Sequence, residues 1–113
     1  MVEPTRSLAL YRFPRLADAS QALAEAVAVC AARAVERSEF FTLALSGGTT
    51  PRTLYTLLGS RFKKVIPWDK TVLFWVDERV VPIDDPESNY RMAWASLFDK
   101  VVIPASHIHR IEF

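Results

Sequence analysis

Glycine and cysteine are scarce in this sequence. Its 113 residues contain three glycines and a single cysteine, Cys30. One cysteine cannot form a disulfide within the chain, which excludes the disulfide frameworks of small secreted proteins and favours a cytoplasmic location. Cys30 falls among the apolar positions of a predicted helix, so we expect a small core side chain rather than a nucleophile. Because glycine is so rare, the adjacent pair Gly47-Gly48 attracts attention.

Long hydrophobic runs and large blocks of like charge are also missing. The longest mostly apolar stretch, 22–35, is interrupted by Glu25 and Arg33 and is too short to span a bilayer. The formal net charge is +1, and no basic block is longer than 61–64. We therefore expect neither a nucleic acid nor a membrane as a partner.

What the chain does contain is an alternation of strand-like and helix-like segments. Half of the residues are apolar, which is enough for a genuine core. Alternating or continuously apolar segments predict strands, and apolar residues spaced three and four apart predict helices. The predicted order is strand 7–13, helix 19–37, strand 40–45, helix 51–58, strand 71–76, helix 89–99 and strand 107–113. This order predicts an α/β fold with a mostly parallel sheet and flanking helices.

Three local patterns refine these elements. The run 40–45 is continuously apolar, as expected for a strand covered on both faces. Thr50 is a natural N-cap, since Pro51 follows at the first helical position. Ser88 is suited to cap the helix predicted over 89–99.

Two polar clusters follow the two most apolar strands. Ser46, Gly47, Gly48, Thr49 and Thr50 come directly after the first, and Asp77-Glu78-Arg79 comes directly after the second. Parallel sheets bind their ligands beyond the carboxyl ends of the strands. Both clusters are therefore predicted on one rim of the sheet.

The Gly-Gly turn is suited to holding an anion. A turn that opens a helix presents unpaired backbone N–H groups, and the helix dipole adds partial positive charge. The hydroxyls of Ser46, Thr49 and Thr50 add donors, which together make a phosphate cradle. The alternative is a strand-to-helix turn in which glycine only supplies positive φ, and an isolated glycine pair would favour it. Arg52 could assist a phosphate, although an exposed side chain in the first helical turn is the simpler interpretation.

The Asp77-Glu78-Arg79 cluster could carry acid–base or anion chemistry. Asp77 is nearest the buried part of its strand, where its surroundings could tune it for proton transfer. Arg79 could clamp a carboxylate, a phosphate or a developing oxyanion. The alternative is a set of charges that are solvated or paired with each other.

Neither acidic residues nor histidines indicate a metal site. The acidic loop residues 84–87 do not have EF-hand spacing, and a solvated loop is the better interpretation. His107 and His109 are two apart in a predicted strand, which places them on one face, but they lack further nearby ligands for zinc.

Longer segments resemble a known family. They are "LALSGGTTPRTLYTLL" at 43–58, Trp68, "VLFWVDERVVPIDDPESNYRMAWASLF" at 72–98 and "IPASHIHRI" at 103–111. In that order and spacing they resemble the 6-phosphogluconolactonases, which are related to the glucosamine-6-phosphate deaminases. The resemblance implies a Rossmann-like α/β fold and hydrolysis of 6-phosphoglucono-δ-lactone in the pentose phosphate pathway, without a cofactor.

The resemblance also implies roles for individual residues. It places 46–49 around a sugar phosphate. Asp77 matches the aspartate that abstracts a proton in the deaminases, and in lactonases its counterpart is a polar partner in the active site. Arg79 matches the lactonase version of the motif, where deaminases typically have tyrosine, and so favours a lactonase. Ser88 and Asn89 match as well and are interpreted mainly as helix-entry residues.

The length departs from the family pattern. Family members are about twice as long, and their second half carries an Asp-Gly-His turn whose histidine is the general base that activates water. No Asp-Gly-His occurs in these 113 residues. We therefore expect residues 1–113 to be the N-terminal part of a single, truncated α/β domain that is inactive by itself. Exposed strand faces should then promote self-association.

Two alternatives to a lactonase stay open at this point. One is a deaminase or isomerase of the same group, with Asp77 as the base. The other is a module that binds a sugar phosphate without catalysis.

Overall fold

A computed structural model describes residues 9–113. The elements in chain order are helix α1 Leu16–Ser38, strand β1 Phe41–Leu45, helix α2 Thr50–Leu58, strand β2 Thr71–Trp75, helix α3 Asn89–Ala93 and strand β3 Ile108–His109. A π-helical turn, Trp94–Phe98, continues α3, and 3₁₀ turns, Trp68–Lys70 and Ala105–His107, precede β2 and β3.

The three strands form one parallel sheet. Their order is β1-β2-β3, so that β2 is central. Leu45 at the end of β1 is opposite Trp75 at the end of β2, and Val76 N–H donates to Leu45 O at 2.9 Å. The segments that follow β1 and β2 therefore leave the sheet side by side. This confirms the α/β class and the mostly parallel sheet with flanking helices.

Helix α1 is confirmed, but its packed face differs from the expected one. Its buried residues are Ser20, Ala24, Val27 and Ala31, a narrow stripe of mostly small side chains that packs against α2 and β1. The expectation of a buried Cys30 is wrong, because Cys30 is exposed. The helix has more apolar residues than one buried stripe can include. At 100° of rotation per residue, Cys30 lies to the side of the stripe formed by the buried residues.

Only one face of the sheet is covered by the described residues. Phe41, Leu45, Leu73 and Trp75 point into the core, where they meet side chains of the helices. Thr42, Ala44 and Phe74 face the other way and are exposed, Phe74 to 43%. The expectation that the strand at 40–45 is covered on both faces is wrong for this part of the chain, since side chains of a strand alternate between faces.

The two terminal strand predictions do not hold as made. Of the strand predicted over 7–13, residues 7 and 8 lie outside the described residues, and residues 9–13 have no regular structure. Alternation alone cannot make a strand without a hydrogen-bonding neighbour, and the sheet pairs no strand from that segment. The strand predicted over 107–113 is reduced to β3, in which His109 but not His107 takes part.

Of the two predicted N-cap residues, Thr50 and Ser88, one is confirmed. Ser88 caps α3, since its Oγ accepts from Arg91 N at 3.2 Å. The Thr50 cap is wrong. Thr50 is the first residue of α2, and Thr49 takes the N-cap position without a side-chain hydrogen bond. The cap shifts because Pro51 fits either of the first two helical positions, so a proline does not fix the start to one residue.

Candidate functional site

A buried tyrosine fixes the start of the turn after β1. The Tyr55 hydroxyl, on α2, accepts from Ser46 N at 2.9 Å and donates to Ser46 O at 2.8 Å. Tyr55 is 3% exposed, and its burial raises the pKa of the phenol despite the hydrogen bond from Ser46, which lowers it. The hydroxyl therefore stays protonated and able to donate. The Ser46 N–H already donates to Tyr55. It is therefore not one of the N–H groups available to an anion.

The two glycines of the turn are needed for different reasons. A Cβ on Gly47 would overlap the side-chain amide of Asn89, so Gly47 allows a close approach between the turn and α3. Gly48 has φ +94° and no atom within 4 Å of a built Cβ, so it supplies a backbone conformation rather than space. The sequence indicated a special turn but could not assign these two separate roles.

Asn89 connects this turn to the end of β2. Its Nδ2 donates to Asp77 O at 3.1 Å and to Asp77 Oδ1 at 3.3 Å. Asn89 is 8% exposed, and its other neighbour is Gly47. The two polar clusters do lie on one rim, and Asn89, the first residue of α3, connects them.

Glu78 holds the start of α3. Its carboxylate accepts from Asn89 N at 2.6 Å, Tyr90 N at 2.9 Å, Ser88 Oγ at 3.3 Å and Arg79 N at 2.8 Å. Burial by itself raises the pKa of Glu78, but these four hydrogen bonds together outweigh it and leave the pKa below its ordinary value. Glu78 therefore serves the architecture of the rim, and its charged carboxylate accepts from three backbone N–H groups and the Ser88 hydroxyl.

A cavity of about 300 Å³ lies between the Gly-Gly turn and the start of α3. Two of its lining side chains, Arg52 and Arg79, carry positive charge, and one, Glu87, carries negative charge. The other lining residues are Gly48, Thr49, Pro86, Ser88, Asn89 and Met92. A second cavity shares Arg52, Pro86 and Met92 with the first and is also lined by Arg91, Thr56 and Ser96. The pairing of two guanidinium groups with a helix-opening turn suits a phosphate.

The predicted site residues take three different places. Gly48, Thr49 and Arg79 line the cavity. Ser46 and Gly47 shape the turn, and Asp77 joins it through Asn89. Thr50 is exposed at the start of α2 and is not among the lining residues. Arg52 is exposed, as expected for a side chain in the first helical turn, and it lines the cavity as well.

The histidines have structural surroundings. His107 Nδ1 lies 3.2 Å from Thr71 O, and the His107 ring meets Phe40 edge-on. His109 stacks on Phe74 with ring centroids 4.9 Å apart. They therefore have different neighbours rather than a shared one. Within residues 9–113, no three His, Cys, Asp or Glu side chains are grouped to hold a metal ion, and no helix has the length and apolarity to cross a bilayer.

Comparison with known proteins identifies the family. Residues 14–113 match the family model described as glucosamine-6-phosphate isomerases/6-phosphogluconolactonase. The chain belongs to this family. It is 38% identical over 112 residues to probable 6-phosphogluconolactonase 4 of Arabidopsis thaliana, covering 99% of the chain and 42% of the relative. It is 48% identical over 68 residues to 6-phosphogluconolactonase of Synechocystis sp., covering 60% of the chain and 27% of the relative.

Solved structures of the family share the fold. A 6-phosphogluconolactonase from Leishmania guyanensis aligns with TM-score 0.76 and 32% identity, covering 87% of this chain and 36% of that one. The enzyme from Thermotoga maritima aligns with TM-score 0.75 and 28% identity, covering 82% and 41%. The chain thus spans well under half the length of the relatives that it matches, and it corresponds to their N-terminal part.

Proposed function

We propose that the gene product carrying this chain is a 6-phosphogluconolactonase, which hydrolyses 6-phosphoglucono-δ-lactone to 6-phosphogluconate. The observation that carries the proposal is the cavity that Arg52, Arg79 and the Gly48–Thr49 turn line together. Its charge and its place beyond parallel strands suit the phosphate of a sugar phosphate. Relatives at 38–48% identity bear the lactonase name, which supports the choice of substrate.

The proposed chemistry divides between binding and bond breaking. Guanidinium and backbone N–H groups hold the 6-phosphate, and Asp77 is a polar partner near the sugar. Water adds to the lactone carbonyl, the ring C–O bond breaks, and a proton reaches the ring oxygen. The resemblance assigns activation of the water to a histidine that these 113 residues do not contain. Arg79 has a second possible task, which is to stabilise charge developing on the carbonyl oxygen. The proposal needs no cofactor.

Replacing Arg79 with alanine in the gene product tests this assignment. A charge-assisted hydrogen bond is worth about 1.5–3 kcal/mol, so kcat/KM for the lactone should fall about 10- to 100-fold. The midpoint of thermal unfolding should stay unchanged, because the Arg79 side chain is exposed. Arg33→Ala, which removes an exposed arginine of α1, is the matched control and should leave kcat/KM intact.

Two results would count against the proposal. Unchanged kinetics of the Arg79→Ala variant would remove this residue from the site. Release of ammonia from glucosamine 6-phosphate, without lactone hydrolysis by the same preparation, would favour the deaminase branch of the family, with Asp77 as the base.

The proposal extends to the setting of the enzyme. We place it in the pentose phosphate pathway and in the cytoplasm, in line with its single cysteine. A rice relative named as chloroplastic shows that other compartments occur in the family.

For the 113-residue chain alone, we propose self-association through the open sheet face around Phe74. Sedimentation should then give a mass above the 12.8 kDa of one chain. A monodisperse monomer at micromolar concentration would contradict this.

A further inference from the structure

Asn89 lies where three segments meet. Its side chain contacts the turn after β1 at Gly47 and the segment after β2 at Asp77, while its own backbone opens α3. The two hydrogen bonds to Asp77 use one nitrogen, Nδ2, which donates to the main-chain carbonyl at 3.1 Å and to the carboxylate at 3.3 Å. An amide NH₂ has two protons, so it can serve both acceptors together.

The cap of α3 does not depend on this side chain. Ser88 Oγ accepts from Arg91 N, and the Glu78 carboxylate accepts from the backbone N–H groups of Asn89 and Tyr90. These bonds would all persist if the side chain of Asn89 were cut back. Its contacts are instead directed across the rim, toward Gly47 and Asp77.

Asp77 needs such a partner because it lies beyond the strand ladder. The register between β1 and β2 ends at Leu45 and Trp75, and Asp77 follows two residues later with an exposed side chain. An exposed carboxylate in a loop samples several rotamers. A hydrogen bond from a buried amide favours those that keep Oδ1 near Nδ2.

We infer that Asn89 is a positioning residue, which holds the Asp77 carboxylate at a fixed place on the rim relative to the Gly47-Gly48 turn. The inference rests on the proposed function insofar as Asp77 acts on the bound sugar phosphate. Asn89 acts through Asp77, and its own contact with substrate is not required.

A double-mutant cycle on kcat in the gene product tests this inference. Asn89→Ala should lower kcat for the lactone about 10- to 100-fold, since misplacement of an active group by about 1 Å can cost that much. KM should change less than about threefold, because the phosphate-binding groups stay in place. In an Asp77→Ala background, Asn89→Ala should change kcat by no more than about twofold, since the group it positions is gone.

A second variant separates loss of the hydrogen bond from a folding defect. Asn89→Leu keeps approximately the size and branching of the side chain against Gly47 but removes the Nδ2 donor without adding a charge, so it should show the same loss of kcat. Gln21→Ala removes another amide, on α1, which hydrogen-bonds with Glu25 and Arg61. This control should leave kcat unchanged, and circular dichroism should show every variant folded.

The outcomes separate the two proposals. A wild-type protein without lactonase activity would overturn the proposed function and, with it, this role for Asn89. An active enzyme in which Asp77→Ala and Asn89→Ala lower kcat independently, so that their effects multiply, would overturn the inference about Asn89 alone. So would full kcat in the Asn89→Leu variant.

Discussion

Replacing Glu78 with alanine should lower the free energy of unfolding by about 1–3 kcal/mol, because it leaves backbone donors at the start of α3 without their acceptor. This carboxylate accepts hydrogen bonds from the N–H groups of Asn89, Tyr90 and Arg79 and from the Ser88 hydroxyl. An acidic side chain at a helix start also interacts favourably with the helix dipole. One substitution thus weakens the link between the end of β2 and α3.

Urea unfolding of the gene product measures this cost. Glu36→Ala, which removes an exposed glutamate from α1, is the matched control and should change the free energy by less than about 0.5 kcal/mol. A Glu78→Ala variant as stable as this control would show that water replaces the carboxylate at no cost, contrary to the role assigned to Glu78.

Glu78 also makes the free energy of unfolding depend on pH in the acidic range. Because the pKa of Glu78 is lowered in the folded state, its ionised form stabilises the fold at neutral pH. That contribution is complete above the ordinary glutamate pKa of about 4.3 and is lost as the pH falls through the lower folded-state pKa. The stability difference between the wild type and Glu78→Gln should therefore be constant near pH 7 and shrink below about pH 4.

Replacing Gly47 with alanine should cost about 1–3 kcal/mol or more, since the new methyl group would occupy the place of the Asn89 amide. The turn is pinned by Tyr55 through Ser46, so it cannot simply move away. Truncation of the opposing side chain should relieve the overlap. Gly47→Ala should therefore destabilise the protein much less in an Asn89→Ala background than in the wild type, when both are measured by urea unfolding.

Gly48 provides the contrast to Gly47. Gly48→Ala meets no neighbouring atom but forces alanine to φ +94°, a cost of about 1 kcal/mol or more. That cost resides in the backbone, so Asn89→Ala should not relieve it. Equal rescue of both glycine variants, or of neither, would contradict the separate roles of the two glycines.

The sequence predicts those features of the fold that depend on local pattern. Helix α1, strands β1 and β2 and the Ser88 cap follow from apolar spacing and capping chemistry within a few residues. The strand predicted over 7–13 fails because its fate depends on a pairing partner elsewhere in the chain. Cys30 is misplaced for a related reason, since α1 carries more apolar residues than its neighbours can cover.

In the candidate site, too, the features set by local pattern are predictable and the contacts between distant residues are not. The rim location of the two clusters follows from parallel strands, and the glycine pair signals a special turn. The roles of Tyr55, Glu78 and Asn89 arise from hydrogen bonds between residues 9 to 12 apart in sequence. No periodicity encodes such contacts. Partial signals were present in the sequence: Glu78 belongs to the polar cluster after β2, Asn89 matches the family at a helix entry, and Tyr55 lies inside a segment that resembles the family.

The central claim is that the Gly48–Thr49 turn, Arg52 and Arg79 form the phosphate end of a sugar-phosphate site. The most direct test is a crystal structure of the gene product with 6-phosphogluconate. We expect the phosphate oxygens about 2.7–3.2 Å from the Arg79 guanidinium and from backbone N–H groups of Gly48 or Thr49. A phosphate bound away from both the turn and Arg79 would contradict the claim.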